Sequence, residues 1–168
     1  MSTIPQKVQA AINEQIKNEL YSAYLYLAMS AHFEEQSLGG LASWMRIQAR
    51  EEVTHGMKLF DYLNDRGGRV ELQAIAAPPA TFESALAIFR AAYQHEQEVT
   101  ASIHRLYALA VAEKDYPTQA ALTWFVNEQV EEEKTAAEIV ARLEMVGENR
   151  SALLMLDHAL GKRGGDDD

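Results

Sequence analysis

The chain has 168 residues with a net charge of −10, and 48% of its residues are hydrophobic and 24% charged. This composition is typical of a soluble globular domain, and an acidic chain without a block of Lys and Arg is a poor partner for nucleic acid. Because there is no cysteine, disulfides, thiolate zinc sites and iron–sulfur clusters are excluded, and any metal must bind oxygen and nitrogen ligands.

The N-terminal stretch "MSTIPQKVQA" lacks the apolar run of a signal peptide, and no later run is long enough to cross a bilayer. We therefore expect a cytoplasmic protein without a membrane partner.

Four long segments place apolar residues at spacings of three and four, which predicts amphipathic helices, and no segment alternates like a strand. The segment "SLGG" separates the first helix from the second, and "KDYPT" forms the turn between the third and the fourth. A short fifth helix precedes a polar tail over residues 161–168. The predicted ranges are about 5–36, 41–67, 82–113, from "KDYPT" to 147, and 150–160.

The connections differ in length, and this decides the topology. Short breaks at 37–40 and 114–117 make antiparallel neighbours, whereas "RVELQAIAAPPAT" at 69–81 can span roughly 43 Å, the length of a whole helix. We predict an all-α four-helix bundle with a long crossover between helices 2 and 3, plus a short C-terminal helix, as a single domain over residues 1–168.

Each long helix carries acid on its apolar stripe. Glu19 and Glu52 are 33 residues apart, Glu96 and Gln129 are also 33 apart, and the two pairs are offset by 77. This repeat indicates a duplicated hairpin whose acids lie at similar depth. In the third helix the predicted core stripe is Phe82, Leu86, Phe89, Tyr93, Glu96, Thr100, Ile103 and Tyr107.

The buried acids predict a metal centre. An unpaired carboxylate in an apolar core costs several kcal/mol or takes up a proton, and neighbouring carboxylates repel each other unless a multivalent cation lies between them. The set suffices for two metal ions about 3.5 to 4 Å apart, iron first and manganese second. The candidate ligands are Glu19, Glu52, His55, Glu96 and Glu132, with Gln129 beside them.

The segments "NELYSAYLY", "REEVTHGMKLFDYL", "HEQEV", "DYPT" and "WFVNEQVEEEK" resemble the ferritins, in particular the non-haem bacterial ferritins, along nearly the whole chain. The resemblance implies a ferroxidase centre for two irons. Glu19, Glu52 and His55 would hold one iron. Glu52, as the bridge, would hold the second together with Glu96 and Glu132.

The same resemblance implies two further roles. Tyr26 would supply an electron during oxygen reduction, although it also suits simple packing. A third, weaker iron site would use Glu51, Glu128, Glu131 and Glu132. The run "NEQVEEEK" equally fits a solvated helix face, so Glu128 and Glu131 keep both interpretations.

Departures separate this chain from neighbouring families. Bacterioferritins repeat Glu-x-x-His in the fourth helix, where this chain has Gln129 and Glu132. They also carry a haem-ligating Met directly after the bridging Glu, where this chain has Val53. We therefore expect no haem. Rubrerythrins usually add a cysteine-rich domain, and small starvation-type ferritins bind iron between subunits, so neither pattern fits.

The implied function is iron storage with ferroxidase activity in a homo-oligomeric octahedral 24-mer cage, with Fe(II) and dioxygen or hydrogen peroxide as substrates. Two alternatives stay open. One is a di-metal oxidoreductase that does not store iron, and the other is a metal buffer that does not speed oxidation.

Overall fold

A computed structural model describes residues 3–164, which form five α-helices and no strand. The all-α prediction is confirmed, with the helix ends within about three residues of those expected. None of these helices combines the length and apolar character needed to span a membrane. The helices are α1 (Gln6–Glu35), α2 (Gly39–Asp65), α3 (Ala85–Ala112), α4 (Tyr116–Val146) and α5 (Arg150–Leu160).

The start of α3 differs most from the prediction. The helix begins at Ala85 rather than Phe82, because the Ser84 side chain accepts a hydrogen bond from the Ala87 backbone N–H at 3.1 Å. A serine in this position satisfies one of the free N–H groups of the first turn, and it therefore fixes where the helix starts.

The four long helices form two hairpins, α1 with α2 and α3 with α4, and the hairpins pack together through α1 and α3. Their core is divided along the bundle. One apolar cluster includes Phe33, Leu41 and Phe89, and the other includes Ile12 and Leu63. On α1 the buried members of one cluster end at Ile16 and those of the other begin at Leu25, with the buried Glu19 between them, so the bundle has a middle layer that is not purely apolar.

The crossover runs from the end of α2 to Ser84 without regular secondary structure, as predicted. Its first part is tied to α1 by the buried side chain of Asn13, whose Nδ2 donates to the Arg69 carbonyl and whose Oδ1 accepts from the Glu71 N–H, both at 2.9 Å. The Gln9 side chain accepts from the Arg69 N–H at 2.9 Å. These side chains satisfy backbone groups that have no helical partner.

The fifth helix packs against the start of α2. The Asp157 carboxylate accepts from the Leu41 N–H at 2.8 Å, which caps α2, and a Cβ on Gly40 would lie 1.9 Å from the Asp157 carbonyl oxygen. Residues 161–164 then form a turn against α2, while residues 165–168 of the predicted polar tail lie outside the described residues.

We expect Gly40→Ala to destabilise the protein by about 1 to 3 kcal/mol, because the added methyl group forces α5 away from α2. Gly39→Ala is the matched control, since a Cβ there meets nothing within 4 Å. Chemical denaturation of both variants measures the difference. Equal midpoints for the two variants would show that the close approach of α5 contributes nothing to stability.

Candidate metal centre

The middle layer of the bundle contains the polar residues singled out from the sequence. Each of the four long helices contributes, because its stripe residues face the axis at the same depth. The relative exposures are 1% for Glu19, 1% for Tyr26, 2% for Glu52, 5% for His55, 1% for Glu96, 5% for Gln129 and 8% for Glu132. All seven side chains are therefore shielded from bulk water.

Ligand atoms converge in three groups, within each of which one atom per residue lies within 4.8 Å of the others. The first group is Glu19, Glu52 and His55, and the second is Glu52, Glu96 and Glu132. Glu52 belongs to both groups, so one carboxylate stands between two potential metal positions. Buried Glu and His donors in such clusters are suited to divalent iron, manganese or zinc.

Two buried glutamine side chains orient the carboxylates. Gln15 Nε2 donates to Glu19 Oε1 at 2.9 Å. Gln48 Nε2 donates both to Glu52 Oε1 at 2.9 Å and to Glu132 Oε2 at 2.8 Å. Such bonds fix the rotamers of the acids and leave their other oxygens directed at the centre. Glu19 Oε2 is buried and has no hydrogen-bond partner.

Glu96 is held by the other two predicted site residues. The Tyr26 hydroxyl donates to Glu96 Oε1. Gln129 Nε2 lies 3.2 Å from Glu96 Oε2, from the Glu96 carbonyl oxygen and from Thr100 Oγ1. In this arrangement Gln129 donates to a candidate ligand, and the phenol of Tyr26 is in direct contact with the centre.

Burial raises the pKa of every acid in the two main groups. Burial, followed by the charge of Glu52, raises the pKa of Glu19 from 4.5 to about 8. Burial and then the charge of Glu96 raise the pKa of Glu132 to about 7. Burial is also the main cause of the raised pKa values of Glu52 and Glu96. The four acids therefore favour their protonated forms unless a cation lies among them.

The acids of the predicted third site are only partly brought together. Glu128 is half-buried and joins His55 and Glu132 in a third group, with its Oε1 4.0 Å from His55 Nε2. Glu131 is exposed, and neither it nor Glu51 belongs to any group of three donors among the described residues.

Comparison with known proteins decides the family. The sequence profile of the Ferritin-like domain matches residues 9–146. The chain belongs to the ferritin family. Among its ferritin relatives are bacterial non-heme ferritins of Staphylococcus aureus (strain USA300), 39% identical over 91% of this chain and 92% of the relative, and of Bacteroides fragilis (strain 638R), 40% identical over 95% and 99%.

Solved ferritin structures have the same fold. A novel open pore ferritin from the hyperthermophilic archaeon Archaeoglobus fulgidus superposes with a TM-score of 0.94, at 48% identity over 95% of this chain and 98% of that one. A humanized archaeal ferritin also gives a TM-score of 0.94 at 48% identity, over 95% and 96%. The resemblance to ferritins and the predicted four-helix bundle are therefore confirmed. Membership of the family supports a role in iron storage.

Sequence reasoning assigned no site role to three residues around the centre of this ferritin. Gln15 and Gln48 each precede a site acid by four residues, and this spacing, which recurs in both helices of the first hairpin, was a usable signal. The third is Arg163, which lies in the turn after α5 and binds Glu51 and Gln48. No local pattern indicates it, because its position depends on how α5 packs against α2.

Proposed function

We propose that this ferritin oxidises Fe(II) at a di-iron ferroxidase centre within each subunit, in the cytoplasm, and stores the Fe(III) as a mineral inside a cage. The observation that carries the proposal is the pair of buried donor groups that share Glu52. Structural carboxylates are normally paired with a cation, whereas Glu19 Oε2 is buried without any partner.

Each iron is a substrate with its own ligands. Glu19, Glu52 and His55 bind one Fe(II), and Glu52, Glu96 and Glu132 bind the other. The acids offset the positive charge that grows as both ions lose an electron, and they keep the two ions adjacent so that one oxidant can accept both electrons. Dioxygen or hydrogen peroxide is that oxidant.

Tyr26 assists this reaction in our proposal. Burial, and then the charge of Glu96, raise the pKa of its phenol well above the usual value, so the hydroxyl stays protonated and donates to Glu96. A phenol in contact with a ligand of the second iron can supply an additional electron and a proton. Gln129 orients the same carboxylate through its other oxygen, by donating to Glu96 Oε2.

The proposal also includes a third site and an assembly. Glu128, Glu131 and Glu132, joined by Glu51 when its pair with Arg163 is released, bind a third, weaker iron, for which Glu128 and Glu132 already lie together. The subunits form a homo-oligomeric octahedral cage of 24 copies, supported by the similarity to ferritins along 95% of the chain. The overall negative charge draws Fe(II) toward the protein and makes uptake sensitive to salt.

Aerobic loading of metal-free protein with many Fe(II) ions per subunit tests the function. Size-exclusion chromatography with iron and protein detected together should show ferric iron travelling with a shell-sized particle. If the iron is oxidised quickly but precipitates, or stays at about two ions per small particle, the protein is a di-metal oxidoreductase that does not store iron. If oxidation is no faster than in free solution, it is a metal buffer.

A further inference from the structure

The turn after α5 carries an arginine that reaches α2, the helix of Glu52 and His55. The Arg163 guanidinium stacks on the Trp44 ring, 4.4 Å from the ring centre, and donates to the Trp44 carbonyl oxygen at 3.5 Å. The same guanidinium donates to Gln48 Oε1 at 3.0 Å and to Glu51 Oε2 at 2.5 Å. Stacking together with a planar set of donors is a geometry that lysine does not reproduce.

The contact between Arg163 and Gln48 links the turn after α5 to the centre. Gln48 is 1% exposed, and its amide nitrogen donates to both Glu52 and Glu132. Because Arg163 binds the amide oxygen, the reversed amide orientation would place NH₂ against the guanidinium and oxygen against two carboxylates. Arg163 therefore favours the orientation in which Gln48 holds the bridging acid.

The contact with Glu51 has the opposite consequence for the third site. A carboxylate paired with a guanidinium at 2.5 Å has part of its charge neutralised and one oxygen occupied. Glu51 accordingly stays outside the group formed by His55, Glu128 and Glu132. One side chain thus contacts both the glutamine that bonds Glu52 and Glu132 and an acid of the proposed third site.

The fold holds this arginine in place. Asp157 caps α2, and the Gly161 backbone lies so close to Gly40 that a Cβ on Gly161 would approach the Gly40 Cα to 2.8 Å. The turn that follows is therefore fixed one to two helical turns before the site acids of α2. The Arg163 side chain is only 25% exposed, in contrast to the exposed Lys162.

We propose that Arg163 is a positioning residue of the metal centre, which orients Gln48 toward Glu52 and Glu132 and keeps Glu51 from the third metal position. This inference rests on the proposed di-iron function. It assigns the C-terminal turn a role in how many ions the subunit holds, because release of the Arg163–Glu51 pair converts Glu51 into an available ligand.

Anaerobic titration with Co²⁺, a redox-stable probe, tests the proposal by calorimetry and visible absorption on assembled protein. The parent should bind two ions tightly and a third weakly. In Arg163→Ala we expect the first two ions to bind about tenfold more weakly and the third about three- to fivefold more tightly. Lys162→Ala, which removes a charge from the same turn, should match the parent.

Two double variants test the route of the effect. In a Gln48→Ala background, Arg163→Ala should weaken the first two ions no further, and in a Glu51→Ala background it should not strengthen the third. Unchanged Co²⁺ binding in Arg163→Ala, or losses that simply add, overturns the proposal. A parent that fails to bind two Co²⁺ ions tightly contradicts the proposed function instead, so the two failures are distinct.

Discussion

Glu52→Ala should slow Fe(II) oxidation by at least about a hundredfold when iron is limiting. Glu52 is the one acid common to both buried donor groups, so its loss would remove a ligand from each of the two proposed iron positions at once. Even the outer hydrogen-bond partners of metal ligands change affinity or activity by about 10- to 100-fold, and a bridging ligand should matter more. Stopped-flow absorbance at two Fe(II) per subunit gives the rate.

Asp61→Ala is the control for this change, because it removes an exposed carboxylate from the same helix. It should oxidise Fe(II) at the parental rate. Glu52→Gln, which keeps the size of the side chain but not its charge, should be nearly as slow as Glu52→Ala. If Glu52→Ala oxidises limiting iron as fast as the parent, the assignment of the bridge is wrong.

Glu19→Gln should make the metal-free protein more stable and the metal-bound protein less so. The folded-state pKa of Glu19 is about 8, above its ordinary value of 4.5. Between pH 4.5 and 8 the folded protein keeps the Glu19 proton that the unfolded chain has lost. The stability of the folded protein is therefore highest below pH 4.5 and falls progressively until the pH has risen through 8. The neutral amide escapes this loss, so its advantage should grow from near zero at pH 5 to roughly 2 to 4 kcal/mol at pH 8.

Denaturation of metal-free protein at pH 5, 7 and 8 measures this advantage, with Glu138→Gln as a control on an exposed acid of α4. Added Co²⁺ should reverse the order at pH 8, because the parent gains stability from a ligand that the variant lacks. An advantage that is the same at pH 5 and pH 8 would show that the buried charge of Glu19 is not its cause.

Much of the bundle could be predicted because its signals are local. Glycine and proline breaks gave the helix ends, and the 33-residue repeat placed Glu19, Glu52, Glu96 and Gln129 at one depth before any contact was known. Buried acids on an apolar stripe are costly without a partner, so their position alone indicated a metal centre.

The packing of α3 was predicted less well. Leu86, Tyr93 and Tyr107 are only partly buried, whereas Ile88 and Ala92 on the adjacent line are fully buried. The prediction favoured bulky side chains, but a small residue allows two helices to approach and large aromatic side chains can reach the core from its edge. Which line faces inward depends on the partner helices and not on the periodicity of α3 alone.

The raised pKa values in the centre mean that some of the candidate ligand oxygens carry protons before any metal ion binds. At pH 7 an acid with a pKa of about 8, such as Glu19, still holds its proton, and Glu132 with a pKa of about 7 is half protonated. Each incoming ion must expel protons, so binding changes about tenfold per pH unit for every proton displaced. In the proposed function, protons and iron therefore compete for the same oxygen atoms, and iron uptake releases protons from the bundle interior.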